Sequence, residues 1–202
     1  MKHRKDKIGA VACSPDGTFF AFGHKNEIEV VDMASGSVVG QTIRVDGFAK
    51  SLTVVDYYDD GGGGGGDGEI LVATYLVVVS STSKASYIYI YKILDFDSEF
   101  PLIKTIKFDS EVNCVASSKT KLTVAHSFDM DGSKKGVCWL ITWRQLIGMS
   151  EKVLIGFDSK GLNSDEASKK ADRKAGTITY SKFDLVGQNK AIAFPPLSNV
   201  IM

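Results

Sequence analysis

Short runs of alternating polar and apolar residues recur along the chain. The clearest are Glu27–Val30, Tyr87–Tyr91 and Lys121–Val124, and turn-forming residues such as Ser14-Pro15-Asp16-Gly17 lie between the runs. Successive side chains of a β-strand point to opposite faces, so each run places one apolar face on a core. The pattern predicts an all-β fold built of many short strands.

The predicted strands recur in groups of four joined by tight turns. In the first group, the strands are residues 8–13, 18–23, 27–32 and 37–44. Ile28 and Val30 point to one face of this sheet, and Phe20 and Phe22 to the other. A lone four-stranded sheet cannot hide two apolar faces, but sheets stacked side by side can. The four groups span residues 8–45, 50–108, 111–157 and 177–202.

Such consecutive units are typical of the blades of a β-propeller. In the first unit, VACSPDGTFFAFGHKNEIEVVDMASGSVVG, the turn residues and the residues that end each strand also follow a characteristic order. Its third strand closes with Val31 and Asp32. It resembles a WD40-type repeat, most clearly over residues 8–45 and weakly over 46–202, although the family's Gly-His pair has no counterpart ahead of the first strand. The resemblance implies a partial propeller of about three and a half blades. The matching positions are Asp16, Gly17, Gly23, Ile28, Val30, Asp32 and Gly36.

The number of predicted blades is too small to close a ring. Propellers typically use 4–8 blades. We therefore expect residues 1–202 to be one propeller portion of a longer chain. The alternative is a compact β-sandwich, which needs no ring.

Two insertions interrupt the blades, at residues 59–68 and 158–176. The first contains six consecutive glycines and lacks the ligand spacing of a calcium or phosphate loop, so it predicts a flexible loop. In the second, Asn163 and Glu166 have the spacing of a helix capping box, with basic residues following. This insertion is interpreted as a solvated, partly helical loop, or alternatively as a docking element for a protein or RNA.

The charge and cysteine content exclude several classes of protein. Lys plus Arg and Asp plus Glu each number 24, so no net field attracts nucleic acid. Cys13, Cys114 and Cys138 match no metal-site spacing and indicate buried thiols in a reducing compartment. The apolar runs are too short for a signal peptide or a membrane-spanning helix. We expect a cytoplasmic or nuclear location.

Catalytic chemistry has little basis in the sequence. The three histidines are His3, His24 and His126, and no GxSxG nucleophile motif occurs. Ser127 and Asp129 follow His126, but neighbouring residues of a strand point to opposite faces and do not form a triad. We expect no enzyme activity, no cofactor and no metal site.

The predicted function is that of a non-catalytic propeller scaffold mediating protein–protein interactions in a multiprotein assembly. In propellers, loops on the rims bind partners. One alternative is a phosphoinositide-binding propeller of the autophagy type, which residues 106–126 resemble, although that family's paired-arginine motif is absent. A lipid headgroup is then the ligand. A second alternative is an enzyme on a propeller scaffold. The residues predicted to bind partners are His24, Lys25, Asn26, Lys169, Lys170, Arg173 and Lys174.

Overall fold

A computed structural model describes residues 7–59, 70–94, 96, 99–108, 111–130, 133–148, 152–155 and 181–185. The first sheet contains β1 (Ile8–Cys13), β2 (Phe19–His24), β3 (Glu27–Asp32) and β4 (Val38–Arg44). The next four strands are β5 (Phe48–Asp59), β6 (Ile70–Ser81), β7 (Ser86–Ile93) and β8 (Leu102–Phe108). After them come β9 (Glu111–Ser117), β10 (Lys121–Met130), β11 (Ser133–Thr142), α1 (Trp143–Gly148), β12 (Lys152–Ile155) and β13 (Ser181–Leu185).

These strands form three sheets. The first follows chain order, β1-β2-β3-β4, and every pairing in it is antiparallel. The second is an antiparallel meander of β5 to β8 extended by β12, and the third has the order β9-β10-β11-β13. The prediction of an all-β chain of consecutive four-stranded antiparallel units is confirmed.

The sheets pack on one another through their first strands. β5 contacts β1 and β2 of the first sheet, and β9 contacts β5 and β6 of the second. The first strands of successive sheets thus lie side by side, as the inner strands of neighbouring propeller blades do. This packing gives the partial propeller that the repeat order predicted.

Two apolar clusters fill the spaces between the sheets. Ile28 and Val30 of the first sheet pack with Leu52 and Leu76 of the second. Ile88 and Ile106 of the second sheet pack with Leu122 of the third. Each cluster needs both of its sheets, so the hydrophobic stabilisation arises from stacking.

The turn between β1 and β2 shows how local sequence sets the first sheet. Gly17 adopts a φ of 73°, in the left-handed region that favours glycine. The Asp16 carboxylate accepts hydrogen bonds from the Thr18 backbone N–H at 3.0 Å and from its hydroxyl at 2.8 Å. The hydroxyl of Ser14 donates to the carbonyl of Phe19 at 3.0 Å. The turn residues singled out in the sequence therefore form the hairpin themselves.

The last strands differ from their predicted places. Residues 152–157 were expected to complete the third unit, but β12 pairs in parallel with β8 and extends the second sheet. Residues 177–183 were expected to open a fourth unit, but β13 pairs with β11 and occupies the fourth place of the third sheet. The alternating pattern identifies a strand without naming its partner, which is why both assignments failed.

A short helix also lies where a strand was expected to end. The sequence predicted a strand over residues 136–143, but β11 ends at Thr142 and Trp143 begins α1. The insertions at 59–68 and 158–176 lie outside the described residues, apart from Asp59, which is the last residue of β5.

Candidate functional site

The predicted partner-binding residues nearest the N-terminus form the turn between β2 and β3. Lys25 and Asn26 are exposed, and Lys25 has a φ of 52°. His24 is the last residue of β2, and only 4% of its surface is exposed. The turn therefore presents Lys25 and Asn26 to solvent, whereas the His24 ring belongs to the supporting structure.

Backbone hydrogen bonds fix this turn against the connection between the first two sheets. The Ala49 N–H donates to the carbonyl of Lys25 at 2.6 Å, and the Val45 N–H donates to the carbonyl of Asn26 at 3.0 Å. Since β4 ends at Arg44 and β5 begins at Phe48, the turn lies on the junction of the two sheets. The backbone of the turn is thus held in place against this connection.

Glu27 organises the charged groups around the turn. Its carboxylate lies 3.5 Å from the Nε2 of His24 and 3.3 Å from an Nη atom of Arg44. The Arg44 side chain is nevertheless 76% exposed, and that of Glu27 is 27% exposed. Arg44 thus pairs with Glu27 while most of its side-chain surface remains exposed.

Two large apolar side chains are exposed at the ends of the strands that meet here. Ile8 is 60% exposed and lies opposite His24 in the β1–β2 pairing. Phe48 is 44% exposed, and its ring lies over Gly9, where an added Cβ would come within 2.8 Å of it. We call the surface formed by Ile8, Lys25, Arg44 and Phe48 the rim surface.

The connection that follows Arg44 packs against the second sheet and brings Asp46 to Tyr89. Gly47 has a φ of 81° and packs against the backbone of Ser81, next to the loop that contains the exposed Lys84. The Tyr89 hydroxyl lies 3.4 Å from the Asp46 carboxylate, to which it can donate, and the Asp46 N–H donates to the hydroxyl oxygen at 3.3 Å.

A separate row of polar contacts joins the second and third sheets. The Lys50 ammonium lies 2.7 Å from the Glu111 carboxylate and also donates to the side-chain oxygen of Asn113 at 3.5 Å. Further along the same strands, the hydroxyls of Thr53 and Ser117 are 2.8 Å apart. Sequence reasoning missed this row because the alternating pattern located both strands without showing that they pack side by side. The row holds β5 to β9.

One expectation about the cysteines is wrong. Cys114 is buried, as predicted, but Cys13 is exposed. Cys13 ends β1 opposite Phe20, on the face that points away from the second sheet. Phe20 and Phe22 lie on the same face, are partly exposed and have ring centroids 6.1 Å apart.

The predicted binding residues of the second insertion cannot be compared with the structure. Lys169, Lys170, Arg173 and Lys174 lie outside the described residues, so their role in binding stays a prediction. Among the residues that the structure does describe, no three His, Cys, Asp or Glu side chains are grouped as a metal site requires. Within the same ranges, no helix is long and apolar enough to span a membrane.

Comparison with known proteins gives weak similarities. No family model matches the chain, and no curated protein matches it. It is similar to a solved structure of KlHsv2 with loop 6CD replaced by a Gly-Ser linker, with 11% identity and a TM-score of 0.37. That match covers 78% of this chain and 57% of the other, so the chain spans little more than half of the KlHsv2 chain.

A second similarity is to a crystal structure of the mitotic checkpoint complex. It has 12% identity and a TM-score of 0.25, and covers 79% of this chain and 71% of the other. Both TM-scores are low, so the fold rests on the strand order and sheet packing described above. The resemblance to WD40-type repeats in particular stays a prediction.

Proposed function

We propose that this chain is a non-catalytic scaffold that binds partner proteins through the rim surface, within a multiprotein assembly. The supporting observation is that Ile8, Lys25, Arg44 and Phe48 are all exposed on strand ends and a turn around the junction of the first two sheets. Protein interfaces combine an apolar centre with a polar edge, and Arg and Phe are enriched in them. A surface of this composition suits a protein partner.

The rigidity of the rim surface supports the same proposal. The backbone of Lys25 is held by the hydrogen bond from Ala49, and Arg44 pairs with Glu27. Binding loses less conformational entropy when the contacting groups are already ordered. The scaffold therefore acts through fixed geometry, and no chemical step is assigned to it.

The two other functional classes have less support at this surface. A phosphoinositide headgroup needs several cations converging on its phosphates, whereas Arg44 is paired with Glu27 here. An enzyme needs a general base within reach of a substrate, whereas His24 is 4% exposed and lies 3.5 Å from Glu27. We therefore place the protein partner first.

The proposal is tested by quantitative co-purification of the tagged full chain from cells, followed by mass spectrometry. The test variant carries Ile8→Ser and Phe48→Ser, which remove the exposed apolar surface. The control variant carries Lys107→Ser, a substitution at an exposed position of β8 away from the rim surface. We expect the double variant to lose at least one stoichiometric partner that the wild type and the control both retain.

Equal partner recovery by all three chains would contradict the proposal. Circular dichroism and thermal unfolding of each purified chain show whether a loss arises from misfolding. A double variant that unfolds early is replaced by Ile8→Ser alone, which leaves the contact between Phe48 and Gly9 intact.

A further inference from the structure

We infer that the first sheet packs face to face on the first sheet of a second copy of this chain, with the strands of the two copies antiparallel. The inference goes beyond the proposed function, because it uses residues that do not belong to the rim surface. It follows from an apolar side of the first sheet that the second sheet does not cover, and from opposite charges at the two ends of that side.

The uncovered side of the first sheet is apolar across its width. Cross-strand partners lie on the same side of a sheet. The pairing aligns one row over all four strands: Cys13, Phe20, Val31 and Val38. Val11 and Phe22 are paired in the next row. We call the side formed by Val11, Cys13, Phe20, Phe22 and Val38 the open face.

The open face exposes a contiguous group of large apolar side chains. Val11 of β1 is 60% exposed and Val38 of β4 is 51% exposed. Phe20 and Phe22 of β2 are partly exposed between them. Single exposed apolar residues are common on protein surfaces, whereas contiguous patches mark sites of interaction. The other side of the same sheet packs on the second sheet, so packing of the same kind on the open face would bury it.

The two ends of the open face differ in charge. At one end, Lys7 is exposed just before β1, and Arg44 and Glu27 form an ion pair that adds no net charge. At the other end lie Asp16 and Asp32. Hydrogen bonds from serine side chains hold the pKa of both carboxyls below the usual value of 3.8, so both are ionised at neutral pH.

These charges make the open face complementary to itself. A two-fold axis that lies between two such faces and runs across the strands makes the strands antiparallel, and brings the Lys7 end of each copy to the Asp16 end of the other. An axis along the strands would bring like charges together, which is unfavourable. Val11 comes four residues after Lys7 and five before Asp16, so the antiparallel arrangement places it near the axis.

The size of the open face indicates a reversible dimer. The sheet has four strands, of which β1 to β3 contain six residues each. With strands about 4.8 Å apart and a rise of about 3.3 Å per residue, the face measures roughly 20 Å on each side. Interfaces of this size are at the low end for specific complexes. We expect a dissociation constant in the range of about 1–100 μM.

The dimer is tested by sedimentation equilibrium of the full chain over a concentration range that spans this constant. The test variant carries Val11→Lys and Val38→Lys, which bring charges of both copies into the apolar interface. The control carries Leu94→Lys and Leu102→Lys, the same change at positions that are 59% and 50% exposed but belong to the region of the second sheet. We expect the test variant to associate at least tenfold more weakly than the wild type, and the control to associate like the wild type.

Thiol crosslinking tests the arrangement of the two copies. Val11→Cys and Val38→Cys are each made in a chain that also carries Cys13→Ser, and the Cys13→Ser chain alone controls for the other cysteines. We expect a short bismaleimide to join two Val11→Cys chains, because this position lies near the axis. The Val38→Cys chains should stay separate, because position 38 lies in the row of Cys13, nearer the Asp16 end.

Several outcomes would overturn the inference. A monomer at every concentration, or equal association of the test and control variants, would exclude the dimer. Crosslinking of the Val38→Cys chains without that of the Val11→Cys chains would exclude the antiparallel arrangement. Thermal unfolding checks each variant, and Val11→Lys alone replaces a double variant that unfolds early.

Crosslinking in cells identifies what covers the open face. A product with the mass of two Val11→Cys chains supports the inference, whereas a product with a different protein in its place would overturn it. None of these results bears on the proposed function, because co-purification through Ile8 and Phe48 of the rim surface is measured separately.

Discussion

At the scale of single residues, Gly47 allows the chain to pass from the first sheet to the second. It has a φ of 81°, and a Cβ at this position would collide with the backbone of Ser81 and the side chain of Thr82. Both the backbone conformation and the close approach exclude other residues. The rim surface depends on this passage, since Phe48 follows directly.

The Gly47→Ala substitution is predicted to lower the free energy of unfolding by at least about 2 kcal/mol, from strain and collision together. The matched control is Gly36→Ala. Gly36 also has a positive φ, of 66°, but an added Cβ there would meet nothing within 4 Å. We expect the control to cost about 1 kcal/mol. Urea unfolding measures both, and equal losses would contradict the steric part of the prediction.

Asp16 makes the first hairpin sensitive to acid. Hydrogen bonds from the Ser14 hydroxyl and from Thr18 hold the pKa of the Asp16 carboxyl below its usual value of 3.8. A carboxyl whose pKa is lower in the folded state than in the unfolded one adds stability at pH values above the unfolded pKa. That stability is lost as the pH falls through the folded pKa.

We therefore predict that Asp16→Asn reduces the loss of stability on acidification below about pH 4. Thermal unfolding at pH 7 and at pH 3 gives the measurement: the difference between the two melting temperatures is expected to be smaller in the variant. An identical difference in both proteins would show that Asp16 does not contribute.

Residue chemistry predicted part of the candidate site. Lys25 was identified as a binding residue because His24, Lys25 and Asn26 read as a turn, and Lys25 is exposed on that turn. The exposure of Ile8 and Phe48 was not predicted, because Ile8 fits the apolar pattern of a strand and Phe48 lay between the predicted units 8–45 and 50–108. Exposure depends on which sheet covers which face, and a local pattern carries no information about that.

At the scale of elements, α1 is held by a buried cation from another sheet. Lys104 of β8 is 3% exposed, and its ammonium donates to the carbonyls of Leu146 and of Ile147. The last carbonyls of a helix lack partners within the helix, so a cation there satisfies them. The partners are 42 and 43 residues apart in sequence, which explains why neither the helix nor its cap was predicted.

Replacing this lysine tests the role of the cap. Lys104→Met keeps the length of the side chain but leaves the two carbonyls without their donor, and is predicted to cost about 1–3 kcal/mol of unfolding free energy. The control is Lys107→Met on the same strand, where the side chain is exposed and the cost is expected to stay within about 0.5 kcal/mol. Chemical denaturation measures the loss of unfolding free energy in each variant. Equal losses in the two variants would contradict the capping role of Lys104.

Strands were predicted well where their partners are close in sequence, and their pairing was not predicted where the partners are distant. The predicted spans 8–13, 27–32, 102–108 and 111–117 match the observed strands residue for residue. Their partners are neighbours in sequence, so a turn and an alternating pattern suffice. β12 and β13 pair with strands far away in sequence, and no local signal determines such pairings.

At the scale of the whole molecule, tyrosines are buried in both spaces between the sheets. Tyr75 belongs to the cluster between the second and third sheets, and Tyr89 and Tyr91 to the cluster between the first and second. Burial raises the pKa of all three phenols above the usual value of 10, and raises that of Tyr91 the most. The stacking of sheets therefore requires these tyrosines to be neutral.

This requirement predicts alkaline unfolding. A phenol whose pKa is higher in the folded state contributes stability that is complete below the unfolded pKa and is lost as the pH rises from about 10 towards the folded pKa. Tyr91→Phe is expected to lose less stability than the wild type between pH 9 and pH 11, measured by urea unfolding at each pH. Parallel losses in the two proteins would exclude Tyr91 as a contributor.

The stacking itself was predictable from the sequence, for a physical reason. Each unit has apolar residues on both faces, such as Ile28 and Val30 on one side and Phe20 and Phe22 on the other. An apolar face needs cover, and the second sheet supplies it for Ile28 and Val30, whereas Phe20 and Phe22 lie on the opposite face and stay partly exposed. Which side chains meet across the gap depends on how closely the backbones approach, and that was not predictable.

The first two sheets pack closely at their joint because the residues there are small. A Cβ on Gly9 would lie 2.5 Å from the carbonyl of Ala49, and one on Gly23 would lie 2.8 Å from the Ala49 methyl group. Ile8 belongs to one side of this joint and Phe48 to the other. A partner that binds the folded chain at this joint stabilises the packing of the two sheets, and by thermodynamic linkage the melting temperature should rise with the partner's concentration.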